Sequence, residues 1–326
     1  MDRALRVVGT MVVVGAVGGG VVAALAVVLL HHVSLTSTRW AAATSGVPWL
    51  LAAAVLALPV GVAGLLLTRR RRTALATAGV AVVLLAPAVW TQGPLLFGDD
   101  VTNDGPRLVV LTSNLEYGGA DPDALVELVE ARDVDVLFVQ ELTPAAEDAL
   151  TPLLADVLPH HQLVPAETAV GSGIYARFPL EDAEALPDTF LTTVLATAQV
   201  PGHGAVRVGS AHPVAPWPVQ RRAWEAELGQ VREALHAVPD DLPVVVGGDF
   251  NATWDHPELR QLLDEGYRDA AEQSGSGWVR TWPQDRYVPL IGIDHVLVRG
   301  AQASYVESLG VPGTDHRAVL AEVVLP

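Results

Sequence analysis

The first third of the chain contains three long runs of apolar residues that no charged residue interrupts. These runs span residues 7–30, 47–67 and 73–97. Each is about as long as the ~20 residues that a helix needs to cross the hydrocarbon core of a bilayer. The pattern therefore predicts three transmembrane helices in the first 97 residues.

Two other interpretations of these apolar runs are a cleaved signal peptide and the buried core helices of a soluble protein. The first run is longer than the apolar core of a signal peptide, and two more runs follow it. Hydropathy this continuous is also unusual for core helices. Both considerations favour a retained membrane anchor, which makes the lipid bilayer a partner of the chain.

The arginines predict how these helices are oriented. Arg3 and Arg6 precede the first run, and a block of four arginines at 69–72 separates the second from the third. Only Arg39 lies between the first two runs. Because positively charged loops stay in the cytoplasm, we expect a cytoplasmic N-terminus, with everything after residue 97 outside the cell membrane.

The rest of the chain has the pattern of an α/β domain. A polar stretch with Gly and Pro at 98–106 indicates a linker, so the anchor covers 1–97 and the second domain 107–326. Stretches with helical periodicity predict helices, and short apolar runs predict strands. Because the two kinds of segment alternate in some places and cluster in others, we expect sheets in the middle of the domain and helices outside. Strands are predicted at 107–113, 134–139, 173–176, 194–200, 205–211, 242–247, 293–298 and 318–324, and helices at 121–131, 143–154, 218–237 and from 257.

Charge and cysteine content exclude several kinds of chemistry. Only one of the 37 acidic residues but seven of the 20 basic ones lie in the first 97 residues, so the second domain is more acidic than the net charge of −17 suggests. Such a domain repels polyanions, which argues against nucleic acid as a partner. The absence of cysteine excludes disulfides, thiol nucleophiles and thiolate metal sites. Nothing in the sequence implies a protein partner.

Polar side chains follow or precede the predicted strands at six places. In chain order the motifs are N-x-E from 114, Q-E from 140, A-H-P from 211, G-D-F-N from 248, I-D-H from 293 and T-D-H from 314. Taken singly, an Asp or Asn after a strand is usually a turn or cap residue. As a set free of thiols, these groups suit Mg²⁺ or Mn²⁺ and the charge of a phosphoryl transition state.

This ordered set resembles the endonuclease/exonuclease/phosphatase superfamily, whose members include deoxyribonuclease I-like nucleases, neutral sphingomyelinases and inositol polyphosphate phosphatases. The resemblance extends from Leu108 to the C-terminus and is most specific at G-D-F-N and T-D-H. It implies a four-layered α/β sandwich with two central sheets. It also implies a metal-dependent hydrolase that acts on phosphoester bonds.

The resemblance implies a role for each motif residue. Glu141 looks like the principal metal ligand, and Asn114, Glu116 and Asp315 resemble the residues that complete the metal site. Glu116 stands where some relatives have Asp, and its longer side chain can alter the metal geometry.

The catalytic residues follow in the same way. His316 resembles the histidine at the scissile phosphate, and Asp294 the carboxylate that orients it. Asp249 is similar to the residue that aligns or deprotonates the attacking water, and Asn251 to the amide that steadies Asp249. His212 resembles the second histidine of the site.

Three further residues are candidates for substrate binding. Thr281 and Trp282 belong to an R-T-W-P segment that precedes I-D-H, and plain core packing is the equal alternative for Trp282. Arg177 ends a G-S-G-I-Y-A-R segment in which Ala176 stands where many relatives have Ser.

Substrate class follows from the anchor rather than from the motifs. A domain tethered outside the membrane has lipid headgroups within reach and is too acidic for a nucleic-acid groove. The arrangement of three helices and this domain also resembles a bacterial branch linked to teicoplanin resistance, which implies a lipid pyrophosphate such as undecaprenyl pyrophosphate as substrate. The alternatives are an exported nuclease, a sphingomyelinase-like phosphodiesterase and a non-catalytic membrane scaffold. A basic face formed by Arg177, Arg221, Arg222 and Arg280 would favour the nuclease.

Overall fold

The computed structural model describes residues 3–33, 37–67, 71–217 and 221–326. The chain divides into two compact units, Met1–Pro94 and Leu95–Pro326.

The first unit is helical, as the apolar runs predict. Its helices are α1 (Arg3–His32), α2 (Thr38–Thr44), α3 (Val47–Leu67) and α4 (Arg71–Leu96). Three of them contain stretches long and apolar enough to cross a membrane, which are Val7–His32, Val47–Leu67 and Arg71–Leu96. Arg71 and Arg72 begin α4, whereas Arg69 and Arg70 of the predicted arginine block lie outside the described residues.

Helices α1 and α3 pack closely because glycine lies between them. A Cβ atom added to Gly61 would lie 2.5 Å from Cγ2 of Val17. Small residues at such a contact let two helix backbones approach, which is how helices associate in lipid.

The second unit consists of two six-stranded sheets with helices packed on them. Its strands are β1 (Arg107–Asn114), β2 (Val136–Gln140), β3 (His160–Val164), β4 (Ser172–Ala176), β5 (Leu180–Ala185), β6 (Val194–Val200), β7 (Gly204–Ala211), β8 (Val244–Asp249), β9 (Arg268–Asp269), β10 (Asp294–Arg299), β11 (Gln302–Gly310) and β12 (Arg317–Val324). Its helices are α5 (Pro122–Ala131), α6 (Pro144–Leu154), α7 (Arg221–His236), α8 (Pro257–Leu263) and α9 (Ala270–Ser274). The strand orders are β11-β12-β1-β2-β4-β3 and β5-β6-β7-β8-β10-β9.

Three apolar clusters hold these layers together. One lies between the sheets and includes Val110, Phe138 and Val245, all fully buried. A second joins the first sheet to α5 and α6, and a third joins the other sheet to α7 and α8. The layers therefore run helix, sheet, sheet, helix, and the predicted four-layered α/β sandwich is confirmed.

Local sequence explains the starts of the helices that flank the first sheet. Asp121 caps α5 by accepting the backbone N–H groups of Asp123 and Ala124, and Thr143 caps α6 by accepting that of Ala146. The helix predicted at 218–237 is described from Arg221 as α7, and residues 218–220 lie outside the described part of the chain.

Parallel strand pairs bring the predicted motifs to one edge. β1 pairs in parallel with β2, which sets Asn114 beside Gln140, and β7 pairs in parallel with β8, which sets Ala211 beside Gly248. β10 runs antiparallel to β8, so that Asp294 lies beside Asp249. The carboxyl ends of β1, β2, β7 and β8 therefore form one edge, which we call the motif edge.

The predicted linker is bonded to the second unit. Asp99 donates its backbone N–H to the carbonyl of Gln273 at 2.7 Å and forms an ion pair with Arg268 at 2.9 Å. The backbone N–H groups of Thr102 and Asn103 both donate to the side-chain oxygen of Gln302. The segment thus follows the surface of the domain from residue 99 onward.

Candidate active site

One buried amide joins the two sheets at the motif edge. Nδ2 of Asn114 donates to Oε1 of Glu141 at 3.2 Å and to Oδ2 of Asp249 at 3.1 Å. Asn114 and Glu141 belong to the first sheet and Asp249 to the second. A single side chain therefore fixes the separation of two carboxylates that come from opposite layers.

The two glutamates occupy strained backbone positions that hydrogen bonds maintain. Glu116 and Glu141 have φ angles of 44° and 56°, a region that non-glycine residues seldom adopt. The N–H of Glu116 donates to Oδ1 of Asn114, and the N–H of Tyr117 donates to Oε2 of Glu141. Such strain persists where the surroundings over-determine it, and it clusters at functional sites.

Carboxylates at this place face one another. The pKa of Glu116 is raised, first by partial burial and then by the negative charges of Asp315 and Glu141. Oxygen ligands of this kind, whose negative charges repel one another, fit a hard divalent ion. The predicted metal-binding residues Asn114, Glu116, Glu141 and Asp315 are thus brought to one place.

A buried histidine lies between two aspartates beside these carboxylates. Nδ1 of His316 contacts Oδ2 of Asp294 at 2.9 Å and Oδ1 at 3.2 Å. Its Nε2 lies 3.7 Å from Oδ2 of Asp249. Burial lowers the pKa of His316, but Asp294 and Asp249 outweigh it and raise this pKa to about 10. His316 is therefore a protonated hydrogen-bond donor at neutral pH.

Asp249, Asp294 and His316 also form a group with ligand atoms within 4.8 Å of one another. This is a possible acidic metal-binding triad. Since both oxygens of Asp294 are engaged by Nδ1 of His316, we assign this triad to proton transfer and the neighbouring glutamates to the metal.

Asp249 is poised to act as a base. Burial raises its pKa to about 6, although the positive charge of His316 opposes the shift. The N–H of Asn251 donates to Oδ1 of Asp249 at 2.8 Å, and Nδ2 of Asn251 donates to the carbonyl of Pro213 at 3.0 Å. Asn251 thereby fixes Asp249 against the A-H-P segment.

The second histidine of the site, His212, favours the neutral form. His212 is 2% exposed, and its Nε2 lies 3.7 Å from Oδ2 of Asp249. Burial lowers the pKa of His212 despite the nearby carboxylate. The site therefore pairs a neutral imidazole, His212, with a charged one, His316.

The three predicted substrate-binding residues lie in different places. Thr281 is fully buried, and its hydroxyl accepts the N–H groups of Ile293 and Asp294, so it fixes the start of β10. Trp282 is partly buried and donates Nε1–H to Oδ2 of Asp315 at 2.8 Å, a contact that goes beyond plain core packing.

Arg177 is not brought to the motif edge. It follows β4, which runs antiparallel to β2, and it forms ion pairs with Asp133 and Asp135 at 2.6 and 2.9 Å. These aspartates precede β2, at the opposite end of the sheet from Glu141. The geometry therefore gives the substrate-binding prediction for Arg177 no support.

Sequence reasoning missed a hydroxyl network beneath the site. Nε2 of Gln140 donates to Oγ of Ser210 at 2.9 Å, and Ser210 shares a hydrogen bond of 2.9 Å with Ser172. All three side chains are fully buried, and they join the two sheets directly behind Asn114. Gln140 belongs to the Q-E motif and Ser210 directly precedes A-H-P, but only the packing of the sheets shows the contact between them.

A second histidine–aspartate pair was also missed. Nδ1 of His295 contacts Oδ2 of Asp269 at 2.6 Å, and its Nε2 contacts the carbonyl of Ala252 at 2.9 Å. Because both partners are acceptors, the ring carries both protons. Burial lowers the pKa of His295, yet Asp269 raises it overall. The pair holds the loop that carries Asn251.

A third missed residue is Glu227 of α7. One of its carboxylate oxygens accepts the N–H of Val214 at 2.8 Å, and the other accepts the N–H of Phe190. This buried carboxylate ties the loop before β6 to the segment that follows His212.

A two-sheet sandwich with a protonated histidine, an aspartate base and an adjoining carboxylate cluster defines a hydrolase that acts on phosphoester bonds. Comparison with known proteins agrees. Residues 111–316 match the family described as Endonuclease/Exonuclease/phosphatase family. The chain belongs to this family, which is generally dependent on divalent metal ions.

Solved structures share the fold of the second unit. TDP2 of D. rerio complexed with single strand DNA product is 18% identical, with a TM-score of 0.55 over 67% of this chain and 98% of that one. The mannosyl-6-phosphatase Bt3783 of Bacteroides thetaiotaomicron VPI-5482 is 16% identical, with a TM-score of 0.53 over 67% and 100%.

An endonuclease/exonuclease/phosphatase from Beutenbergia cavernae DSM 12333 is 20% identical, with a TM-score of 0.53 over 67% of this chain and 72% of that one. Curated protein sequences gave no match.

Proposed function

We propose that this chain is a membrane-anchored phosphoesterase that acts outside the cytoplasmic membrane on a lipid phosphate or pyrophosphate, such as undecaprenyl pyrophosphate. The observation that carries the proposal is the joining of three apolar helices to a site in which His316, Asp249 and the carboxylates of Glu141, Glu116 and Asp315 meet.

The side chains divide the chemistry between a base and an acid. Ionised Asp249 accepts the proton of the attacking water, whose oxygen forms the new bond to phosphorus. Protonated His316 donates a hydrogen bond to a phosphoryl oxygen and stabilises the negative charge that develops as the bond to the leaving group breaks. Asp294 keeps His316 protonated and in position, and Asn251 holds Asp249.

Asn114, Glu116, Glu141 and Asp315 would hold Mg²⁺ or Mn²⁺. When bound, such an ion supplies Lewis-acid stabilisation of the phosphoryl oxygens. Trp282 keeps one oxygen of Asp315 occupied, which leaves the other directed to the site.

The lipid assignment is supported by the anchor and by charge. The positive-inside rule keeps the arginines in the cytoplasm. The third helix then runs outward, so the second unit lies outside the membrane. The linker stays on the surface of the domain from Asp99 onward, so only a short segment separates the third helix from the sandwich. A tethered enzyme meets lipid headgroups at a high effective concentration.

The structure does not support the basic face that a nuclease would need. Arg177 is paired with Asp133 and Asp135, and Arg221 is buried and paired with Glu225 and Glu258. Two of the four arginines that would favour a nuclease are therefore neutralised by carboxylates.

The test compares substrates for the purified full chain in detergent with Mg²⁺. Undecaprenyl pyrophosphate, a sphingomyelin-like lipid and single-stranded DNA are supplied at equal phosphate concentration. We expect fastest release of phosphate from the pyrophosphate, abolished in His316→Ala and unchanged in His161→Ala, which alters an exposed histidine on β3. Faster cleavage of DNA than of either lipid would reverse the assignment.

A further inference from the structure

Asp315 differs from the buried aspartates of the site because solvent reaches its side chain. Asp249 and Asp294 are each 2% exposed, so packing holds their carboxylates in place. The side chain of Asp315 is 36% exposed. A carboxylate with water on one side has alternative rotamers open to it, and packing alone does not determine which of its oxygens faces the site. A directional contact is therefore needed to orient Asp315.

One hydrogen bond distinguishes the two oxygens of Asp315. Oδ2 accepts Nε1–H of Trp282 at 2.8 Å, while Oδ1 lies 3.8 Å from Nε2 of His316. An indole nitrogen can only donate, and a hydrogen bond to a charged acceptor is stronger than one to a neutral acceptor. Trp282 therefore holds one oxygen and leaves Oδ1 on the side of His316.

The indole is itself fixed, because the backbone of Trp282 is paired. Its N–H donates to the carbonyl of Ile291 at 2.9 Å, and its carbonyl accepts the N–H groups of Leu290 and Ile291 at 2.9 and 3.0 Å. This antiparallel bridge anchors Trp282 beside the residues that lead into β10. Because the residue that carries the donor is held in this way, the position of Oδ2 of Asp315 follows from the position of the indole.

The backbone around Asp315 is bonded to the same segment. The N–H of Gln284 donates to the carbonyl of Asp315 at 2.8 Å, and the N–H of Arg317 donates to the carbonyl of Thr281 at 2.9 Å. The side-chain amide of Gln284 also donates to two carbonyls of the loop before Asp315. Residues 281–284 therefore hold the T-D-H motif on both sides of Asp315, and the indole and the carboxylate meet in a preformed arrangement.

Core packing does not account for this contact. Packing alone would require an apolar ring at position 282, and phenylalanine would supply it. The side chain of Trp282 is only partly buried, and its polar atom meets a charged oxygen. Trp224 shows the other case, because it is fully buried and its Nε1–H donates to the backbone carbonyl of Phe250 at 3.3 Å. The contrast indicates that the N–H of Trp282 acts on Asp315.

The number of oxygens that a carboxylate offers affects which divalent ion it suits. Ca²⁺ takes roughly six to eight oxygen ligands, and one carboxylate can supply two of them, whereas Mg²⁺ requires near-octahedral geometry. Mn²⁺ also suits octahedral sites of oxygen ligands. An Asp315 that offers one oxygen fits the octahedral ions, while a carboxylate with both oxygens available gives Ca²⁺ a further ligand.

We propose that Trp282 is a positioning residue that restricts Asp315 to a single oxygen ligand and thereby favours Mg²⁺ or Mn²⁺ over Ca²⁺. Its indole N–H acts on the ion through Asp315. Trp282, a candidate for substrate binding by sequence, thus acquires a role on the metal side of the site. The inference rests on the proposed function, in which Asp315 helps to hold the ion.

Metal affinity measured without catalysis tests this role. The purified full chain in detergent is titrated with Mn²⁺, electron paramagnetic resonance of the free ion gives the Kd, and competition gives the Kd for Ca²⁺. Trp282→Phe keeps an aromatic ring and removes the N–H donor. Trp278→Phe is the matched control, because Trp278 is also partly buried and follows Gly277, whose N–H donates to the carbonyl of Leu95.

We expect Trp282→Phe to raise the Kd for Mn²⁺ about tenfold, at the low end of the roughly 10–100-fold loss that follows removal of a group bonded to a metal ligand. The Kd for Ca²⁺ should change by less than about twofold, because the released oxygen compensates for the lost orientation. Trp278→Phe should retain both parent values. An unchanged ratio of the two constants in Trp282→Phe would overturn the proposal, whether both affinities fall together or neither changes.

A double-variant cycle shows whether Trp282 acts through Asp315. In the Asp315→Ala background the indole has lost its acceptor, so adding Trp282→Phe should leave the Kd for Mn²⁺ where Asp315→Ala alone puts it. A further rise of about tenfold in the double variant would contradict the proposal, since independent effects add in this way.

The hydrogen bond is also observable in the absence of metal, so a variant that fails to fold is not mistaken for one that lacks the contact. Nitrogen-15 labelling of tryptophan gives the indole N–H resonance of Trp282, assigned by its loss in Trp282→Phe. Asp315→Ala should move this resonance and accelerate exchange of its proton with water, while the other indole resonances stay in place. An unmoved resonance would refute the contact and the proposal with it.

Glu141→Gln separates this inference from the proposed function. If Glu141→Gln weakens Mn²⁺ binding and Trp282→Phe does not, the inference fails and the metal assignment survives. If neither Glu141→Gln nor Asp315→Ala weakens binding, the ion lies elsewhere. The metal assignment of the proposed function then fails, and the inference fails with it.

Discussion

At the scale of single residues, the charge of His316 depends on its neighbours. An imidazole buried to this degree would lose its proton at neutral pH, but Asp294 and Asp249 supply enough negative charge to raise its pKa to about 10. Burial raises the pKa of Asp249 to about 6. Two groups with separated pKa values can act as base and acid in the same turnover.

These values predict the pH dependence of hydrolysis. Activity should rise as pH increases through about 6, where Asp249 loses its proton, and fall above about 10, where His316 loses its own. The measurement is kcat/KM for a soluble phosphodiester between pH 4.5 and 11 in saturating Mg²⁺. An acidic limb at the pH of an ordinary aspartate would contradict the assignment of Asp249 as the base.

Asp294→Asn should shift the alkaline limb to lower pH, because His316 then loses its strongest source of negative charge. The rate at neutral pH should fall by about two to four orders of magnitude, since the amide can no longer fix the histidine in its charged form. Asp285→Asn is the control, because Asp285 is exposed on the loop before β10. If both variants retained the parent profile, Asp294 would have no role in positioning the proton.

Glu141→Gln tests the metal assignment without measuring activity. A ligand that binds only the folded state at roughly a hundredfold its Kd adds about 2.7 kcal/mol to stability. Mn²⁺ should therefore raise the Tm of the parent chain and of a Glu147→Gln control, but not of Glu141→Gln. An equal rise in all three would show that the ion binds elsewhere.

At the scale of elements, the strands that form the site were predictable and the edge strands were not. β1, β2, β7 and β8 are short buried apolar runs, which the sequence reveals directly. β5 (Leu180–Ala185) is exposed along almost its whole length, and β3 is only partly buried, so neither has an apolar run. Their existence depends on pairing with β6 and β4, a tertiary fact that a local pattern does not contain.

The site shows the same division. Motif residues that end buried strands were found, because the ends of parallel neighbouring strands must meet. The sequence does not reveal the partners of Thr281 and His295. The hydroxyl of Thr281 contacts β10, and the ring of His295 contacts Asp269, only after the chain has folded. The sequence alone does not show that β4 runs antiparallel to β2, and this direction places Arg177 at the end of the sheet opposite Glu141.

Asp269, at the junction of β9 and α9, should contribute measurably to the free energy of unfolding. Asp269 caps α9 through Oδ1 and pairs with His295 of β10 through Oδ2. Asp269→Asn leaves a buried imidazolium without its counter-ion, which should cost about 3–5 kcal/mol of the free energy of unfolding. Urea unfolding of the full chain in detergent measures the loss.

Asp264→Asn, at the exposed end of α8, is the matched control and should change stability little. Replacing Asp269 and His295 together by Asn and Phe should recover part of the loss, because no unpaired charge then remains. A loss in the double variant equal to that in Asp269→Asn would contradict the ion pair.

At the scale of the whole molecule, one chain joins two units of very different composition. The apolar helices of the first unit satisfy their backbone groups internally, as a bilayer requires. The second unit carries most of the acidic residues and packs as a sandwich with its own three cores. Under the proposed function, the three apolar helices determine the location of the protein and the sandwich carries out the chemistry.

The arginine block should determine the orientation of the chain. Replacing residues 69–72 by Asn removes most of the charge bias between the predicted loops, so we expect a mixed population in the membrane. The readout is the reaction of Ser308→Cys, in an otherwise cysteine-free chain, with a membrane-impermeant thiol reagent in intact cells. Uniform protection of the parent chain from this reagent would place the second unit in the cytoplasm.

The last strand of the sandwich has a consequence for biosynthesis. β12 lies between β11 and β1, and just before it Thr314 donates to the carbonyl of Asn114, a residue 200 positions earlier. Synthesis of the chain must therefore pass His316 before β1 acquires this second neighbour beside β2. A nascent chain holds Glu141 and Asp249 but no assembled centre, so hydrolysis is withheld until the last strand has been synthesised and has folded into place.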